Sequence, residues 1–311
     1  RSQHEHRSHW HKHISVGIDM STITSLISSG GGGGSEINDI KFISSTANLI
    51  TTESDEVWLK GGVNETDFAT YPDASKAVVG YSGTSFSVAA QETAPYATAW
   101  DGTHFWVVGR SSDRVFKYNA SGVYQNVSWS VSAQDTDPTG LAWDGTYFWV
   151  LGLANQRVYK YNASGAYQNF NFYVGTQEST PYGLAWDGTH FWVVGNNSHA
   201  VAYTASGNYN STPSFSVAAQ DIYPFDITWD GTHFWVVGRN YDALYKYTAA
   251  GVYTGEKLST QAQDYSPTGI VSVGSDLWVT GDDNNAVFKY QHQIGITSVT
   301  ANGGQNYIRI K

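Results

Sequence analysis

Apolar residues in this chain fall in short, strand-sized runs, each closed by a polar or glycine-containing turn. From Pro138 the pattern runs Gly140 to Trp143, the turn Asp144-Gly145, then Tyr147 to Leu151. A second pair follows: Arg157 to Tyr161, the turn Asn162-Ala163-Ser164-Gly165, and Ala166 to Val174 ahead of Gln177. Asp-Gly between apolar runs is a hairpin signal, so the segment predicts four short antiparallel strands. Runs such as Phe148-Trp149-Val150-Leu151 are apolar at successive positions, which suits a sheet covered on both faces; a half-exposed sheet would alternate.

The pattern recurs. Trp-Asp-Gly-Thr begins at Trp100, Trp143, Trp186 and Trp229, with a degenerate copy at Ser272, a spacing of 43 residues each time. Pro95, Pro138, Pro181, Pro224 and Pro267 keep the same beat, as do Gln91, Gln134, Gln177, Gln220 and Gln263. Four strands in 43 residues are the dimensions of one propeller blade. The last copy departs from pattern after Phe288-Lys289-Tyr290 and lacks its fourth strand. Ser85-Phe86-Ser87-Val88, followed by Gln91, matches Ser128-Trp129-Ser130-Val131 and has no blade of its own. The expectation is an all-β fold: a five-bladed β-propeller over 83–290, closed by that upstream strand, which removes an open sheet edge. Around it the reading places a tail and glycine-rich linker at 1–36, with a flexible joint at Gly30 to Gly34. A small β module follows at 37–82, with strands in Ile37 to Thr51 and Glu56 to Lys60 and an irregular stretch from Asn64 to Lys76. A C-terminal strand segment at 291–311 can pair with that module.

Composition removes several classes. The absence of cysteine excludes disulfides and thiolate metal or redox sites. A net charge of −10 argues against nucleic acid, whose affinity comes from clustered Lys and Arg. No apolar run approaches the length of a membrane-spanning helix, so no membrane insertion is expected, and the N-terminus lacks the apolar core of a signal peptide. His4, His6, His9, His11 and His13 crowd the first residues, ahead of Met20, the one methionine. Two readings stand: residues 1–19 are an extension preceding the natural start, or His4, His6, His11 and His13 ligate a transition metal from an extended strand. No cofactor is implied.

Candidate chemistry lies in the loops. A carboxylate follows every periodic glutamine: Glu92, Asp135, Glu178, Asp221 and Asp264. These form either an acidic ring that binds cations or sugar hydroxyls, with Tyr96, Tyr182 and Phe225 stacking on a pyranose, or acids that hold their own turns. The loops between second and third strands share that face and differ between blades: Arg110 to Arg114, Leu153 to Arg157, Asn196 to His199, Arg239 to Asp242 and Asp282 to Asn285. Asn196 and Arg239 are the ligand candidates there, set against solvent-exposed drift. The Trp-Asp-Gly strings and the column Phe86, Trp129, Phe172, Phe215 and Leu258 read as structural, and His104, His190 and His233 as turn residues. A glycosidase needs two carboxylates in different environments, which repetition does not supply. Asp226, Asp242 and Asp283 break the symmetry, but no spacing picks an acid–base pair, so no enzyme is expected.

The flanks add a resemblance. Met20-Ser-Thr-Ile-Thr-Ser-Leu-Ile-Ser-Ser before Gly30 to Gly34, Asp55-Glu-Val-Trp-Leu-Lys-Gly-Gly, Thr70-Tyr-Pro-Asp-Ala and the ending Tyr307-Ile-Arg-Ile-Lys311 resemble tail-fibre and other virion structural proteins of marine tailed bacteriophages. The repeats resemble those of propeller lectins and phage receptor-binding modules. This resemblance implies a virion protein that acts outside the cell, attached through its N-terminal part to other virion proteins. Its propeller would face a host cell-surface glycan or receptor. Tail fibres are usually trimers, so a homotrimer is implied, although the chain lacks a β-helical or coiled-coil shaft. A purely structural virion protein and a polysaccharide-degrading enzyme are the alternatives.

Overall fold

A computed structural model of the 311-residue chain describes the strands 14–15, 39–42, 48–51 and 56–60, the continuous stretch 78–293, and the strands 296–302 and 305–310, with side chains from 80 to 291. The chain divides into two units, 1–78 with 292–311, and 79–291.

The first unit is a six-stranded sheet in the order Ile14–Ser15, Asn48–Thr51, Glu56–Lys60, Asp39–Phe42, Gln305–Ile310, Ile296–Asn302. Ile40 pairs with Ile310, so the C-terminal strand joins the N-terminal module. The stretch from Ile37 to Thr51 holds two strands, Asp39–Phe42 and Asn48–Thr51, and Ile14–Ser15 forms the sheet's edge beside Asn48 and Leu49. His4, His6, His11, His13, the glycine joint and the stretch 64–76 lie outside the described residues.

The second unit is a five-bladed β-propeller of four-stranded antiparallel sheets. Blade 1 holds strands Pro95–Trp100, His104–Gly109, Arg114–Asn119 and Tyr124–Ser130. Blades 2, 3 and 4 repeat this from Pro138, Pro181 and Pro224. Blade 5 holds Pro267–Val273, Asp276–Gly281 and Ala286–Gln293, and its outer strand is Val78–Ser87 from upstream. Val88 N–H donates to Asn285 O at 2.8 Å, which fixes the closure at its downstream end. Each first strand touches the first strand of the next blade, and Pro267–Val273 touches Pro95–Trp100, so the inner strands line a closed ring.

Five hydrophobic clusters hold the ring, one between each pair of neighbouring blades. The fifth contains Phe86 of the closing strand, whose ring lies 5.4 Å from Phe105, 5.5 Å from Tyr118 and 5.9 Å from Trp278. Burying one such side chain contributes roughly 1.5–3 kcal/mol, so the fastening is comparable to any other blade contact.

The periodic residues now have physical reasons. In the first hairpin of blade 1, Asp101 Oδ1 accepts N–H groups of Thr103 and His104 at 2.8 and 2.7 Å, and Oδ2 accepts Trp106 Nε1–H at 2.7 Å. Asp144, Asp187 and Asp230 repeat this clamp. The intervening glycine has φ near +95°, a region costly for any other residue. Each periodic glutamine accepts the hydroxyl of a buried tyrosine on its own blade's neighbour, as Gln134 does from Tyr161 at 3.1 Å. Burial raises the hydroxyl pKa of Tyr118, Tyr161, Tyr203, Tyr247 and Tyr290, so each stays a donor.

Candidate functional site

The loops that precede each first strand and those that join second to third strands lie on one face. The periodic acids tie them together. Asp135 accepts from its own turn, Asp137 N–H, and from Ala154 and Asn155 N–H across the blade at 2.9, 3.3 and 2.9 Å. Glu92, Glu178, Asp221 and Asp264 make the same two-loop bridge, to Ser111, Asn197, Asn240 and Asn284. All five are only 1 or 2% exposed. Of the two readings of these acids, the geometry is that of turn holders, whose oxygens already meet backbone donors and do not face solvent as a ring. Burial pushes the Glu178 and Asp221 carboxyls above the ordinary carboxylate range, with the backbone donors opposing. A glycine in the facing strand leaves room for each acid: a Cβ on Gly109, Gly152, Gly195, Gly238 or Gly281 would fall on it.

Inside that rim, at the mouth of the channel, the repeat breaks. The residue after each periodic proline is Tyr96, Thr139, Tyr182, Phe225 or Thr268, and the first residue of each second loop is Arg110, Leu153, Asn196, Arg239 or Asp282. Tyr182 and Phe225 stack at 4.4 Å and 10°, and Tyr96 lies 6.0 Å from Phe225, so blades 1, 3 and 4 roof the channel with aromatic rings. Arg239 lies over Phe225 at 4.7 Å and Arg110 over Tyr96 at 5.1 Å. Arg110 donates to the Tyr96 hydroxyl and to Asp137 Oδ2, both at 2.8 Å, and its Nε also pairs with Asp137. Arg239 donates to Ser266 Oγ and stands 3.9 Å from Asp282. Their side chains remain 38 and 32% exposed, which leaves a face of each guanidinium to solvent.

Asn196 is exposed, and its side chain acts to lower the pKa of the Tyr182 hydroxyl. Burial raises the pKa of that hydroxyl, and Arg110 and Arg239 both act on it in the opposite sense, so the two cations share one field. Burial also raises the Asp282 carboxyl, against the pull of Arg239. In blades 2 and 5 the threonines face inward instead: Thr139 and Thr268 donate to the carbonyls of Pro181 and Pro95 on the next blade at 3.2 and 2.9 Å.

Thus the structure brings together five sequence candidates, Tyr96, Tyr182, Phe225, Asn196 and Arg239, and adds Arg110, Asp137, Ser266 and Asp282. Arg110 and Asp282 belong to the variable loops and are visible as one 43-residue column of unlike residues. Asp137 is the partner the pattern hid, because its column, Ala94, Asp137, Thr180, Tyr223 and Ser266, looks like ordinary turn drift.

Just beneath the aromatic roof sits Asp226, fully buried, where the other blades carry Ala97, Gly140, Gly183 and Gly269. Oδ1 accepts Leu184 and Ile227 N–H at 3.2 and 2.9 Å, and Oδ2 accepts Ile270 N–H at 2.8 Å, so one carboxyl joins three blades. Its burial drives the pKa well above the carboxylate range, with those amides opposing. At the opposite end the channel opens as a cavity of about 120 Å³ among Trp100, Trp143, Trp186, Trp229 and Ser272. Among the described residues no three His, Asp or Glu side chains converge as a metal site.

No family model matches the chain, and no curated protein does. Among solved structures, the glutaminyl cyclase of Myxococcus xanthus superposes with a TM-score of 0.57 at 10% identity, over 69% of this chain and 96% of that one. A virginiamycin B lyase from Staphylococcus aureus matches at 0.43 and 15% over 80 and 78% of the two chains. A nidogen/laminin complex matches at 0.46 and 14% over 63 and 74%. At 10% identity the likeness to the glutaminyl cyclase speaks for the fold alone.

Proposed function

We propose that the chain is a non-enzymatic adhesin of a tailed-phage virion, whose propeller holds a host surface glycan at the channel mouth. The observation that carries the binding part is the break in the repeat: two guanidinium groups laid on aromatic rings and open to solvent, at columns where the blades differ. The exposed guanidinium donors suit the hydroxyls of sugars and the half-buried Tyr182 ring an apolar sugar face, while Tyr96 and Phe225 are buried and serve as supports for the arginines. The acids at the mouth are held, Asp137 and Asp282 beside arginines and the periodic five and Asp226 by backbone amides, which favours holding a ligand over proton transfer. The phage assignment rests on the flanking segments described above, and attachment to other virion proteins follows from it. Many copies on one particle would add weak contacts into firm adsorption.

The test is an array of bacterial surface polysaccharides probed with the full chain and with the Arg110→Ala/Arg239→Ala double variant. Losing two charge-assisted contacts lowers apparent affinity at least about tenfold. Immunogold labelling of purified particles checks the second part, with label expected at a fibre tip. No binding on the array, or equal binding by the variant, removes the mouth as the site; label on capsid or tube makes the chain a structural component instead.

A further inference from the structure

On the face opposite the mouth, the structure contains a cleft of about 230 Å³ between blades 2 and 3, lined by Asp144, Thr146, Tyr147, Trp149, Lys160, Trp186, Phe191 and Ala205. We propose that this cleft is a second ligand site, which takes a single acidic sugar ring of the uronic-acid type. Its volume lies below the roughly 300 Å³ at which drug-sized sites begin, so it fits one ring and not a chain. The reading is separate from the mouth and shares none of its residues.

Three features point to that chemistry. Lys160 Nζ stands 3.7 Å above the Tyr147 ring and 5.2 Å from Trp149, and it makes no ion pair among the described residues. A cation held by aromatic faces at a cleft wall offers its free donors to an incoming carboxylate. Trp186, half-buried and 4.6 Å from Phe191, offers an apolar wall for the ring's C–H face. Asp144 and Thr146 give hydroxyl partners at the rim; the Asp144 carboxylate is pinned by Thr146 N–H, Tyr147 N–H and Trp149 Nε1–H at 2.8, 2.7 and 2.7 Å, so its orientation is set in advance.

Sister blades show why the combination occurs here. The Tyr147 position is histidine in blades 1, 3 and 4, and the Lys160 position is Ala202 in blade 3. Lys246 is paired with Glu256 at 3.1 Å and Lys289 with Asp276 at 2.8 Å, so those ammonium groups are already neutralised. Ser272 replaces the tryptophan wall facing blade 4. Blade 1 keeps Lys117 over Trp106, but with His104 in place of the tyrosine.

Saturation-transfer NMR on the full chain with methyl glucuronide and methyl galacturonide, against methyl glucoside, tests the proposal. Lys160→Ala and Tyr147→His place residues that sister blades already carry, so both fold, which an unchanged melting profile verifies. The uronides should bind in the millimolar range, and Lys160→Ala should weaken them at least about tenfold. The Lys160→Ala loss should be as large in the Arg110→Ala/Arg239→Ala background as in the parent, which separates this site from the mouth. Absence of uronide transfer, equal transfer from the neutral glucoside, or indifference to both cleft substitutions overturns the assignment. An acidic peptide that binds where the uronides do not would show the cleft to be a protein contact instead.

Discussion

At the scale of single residues, the fold uses carboxylates as clamps. Asp101 and its repeats seal hairpins, Glu92 and its repeats seal loops, and Asp226 joins blades 3, 4 and 5. Asp226 differs from the rest in that its three amide partners come from three blades. A carboxyl whose folded pKa is raised contributes stability below its unfolded value, near 3.8, and that contribution is lost as pH rises toward the folded value. Glu178, Asp221 and Asp282 titrate with the same sign. Comparison with Asp226→Asn therefore isolates the one group: across pH from about 4 to 7, urea midpoints should fall less steeply for the variant than for the parent. Parallel curves would show that the three amides outweigh burial.

At the scale of elements, each blade carries its own tension between a buried acid and the strand that passes it. A methyl group on Gly152 would fall on the Asp135 carboxyl, which its backbone partners hold in place. Gly152→Ala is expected to cost about 1–3 kcal/mol by overpacking, read as a lowered thermal midpoint. Trp-Asp-Gly-Thr, the prolines and Gln91 with its repeats made strand order and blade count readable, because each enforces a local geometry that recurs with the chain. The acids illustrate where such reading stops. A carboxylate after a strand looks alike whether it faces water or lies under a loop, and only the glycine opposite, 17 residues further along in each blade, distinguishes them. Arg110 was legible as a variable position, whereas its pairing with Asp137 joins neighbouring blades and leaves no mark in either repeat alone.

At the scale of the whole disc, the ring transmits local damage. Phe86 belongs to the closing strand and fills the core between blades 5 and 1. Phe86→Ala should cost about 3–5 kcal/mol. Because every blade leans on two others, amide exchange should accelerate in strands as distant as Phe191 to Gly195, in blade 3, and not only beside the substitution. Acceleration confined to blades 5 and 1 would mean that the blades open independently, as in a linear array.

The closing contact also orders events in time. Ser87 meets Asn285 across 198 residues of sequence. A ribosome delivers the first of these long before the second, so the outer strand of blade 5 waits unpartnered while four complete blades emerge. The ring can shut only when Ala286–Gln293 has left the exit tunnel, and such distant pairing is slow to form. Nascent chains stalled ahead of Ala286 should therefore hold stacked blades with an unsealed gap, a state in which the strand at 78–87 is open to capture by a neighbouring nascent chain.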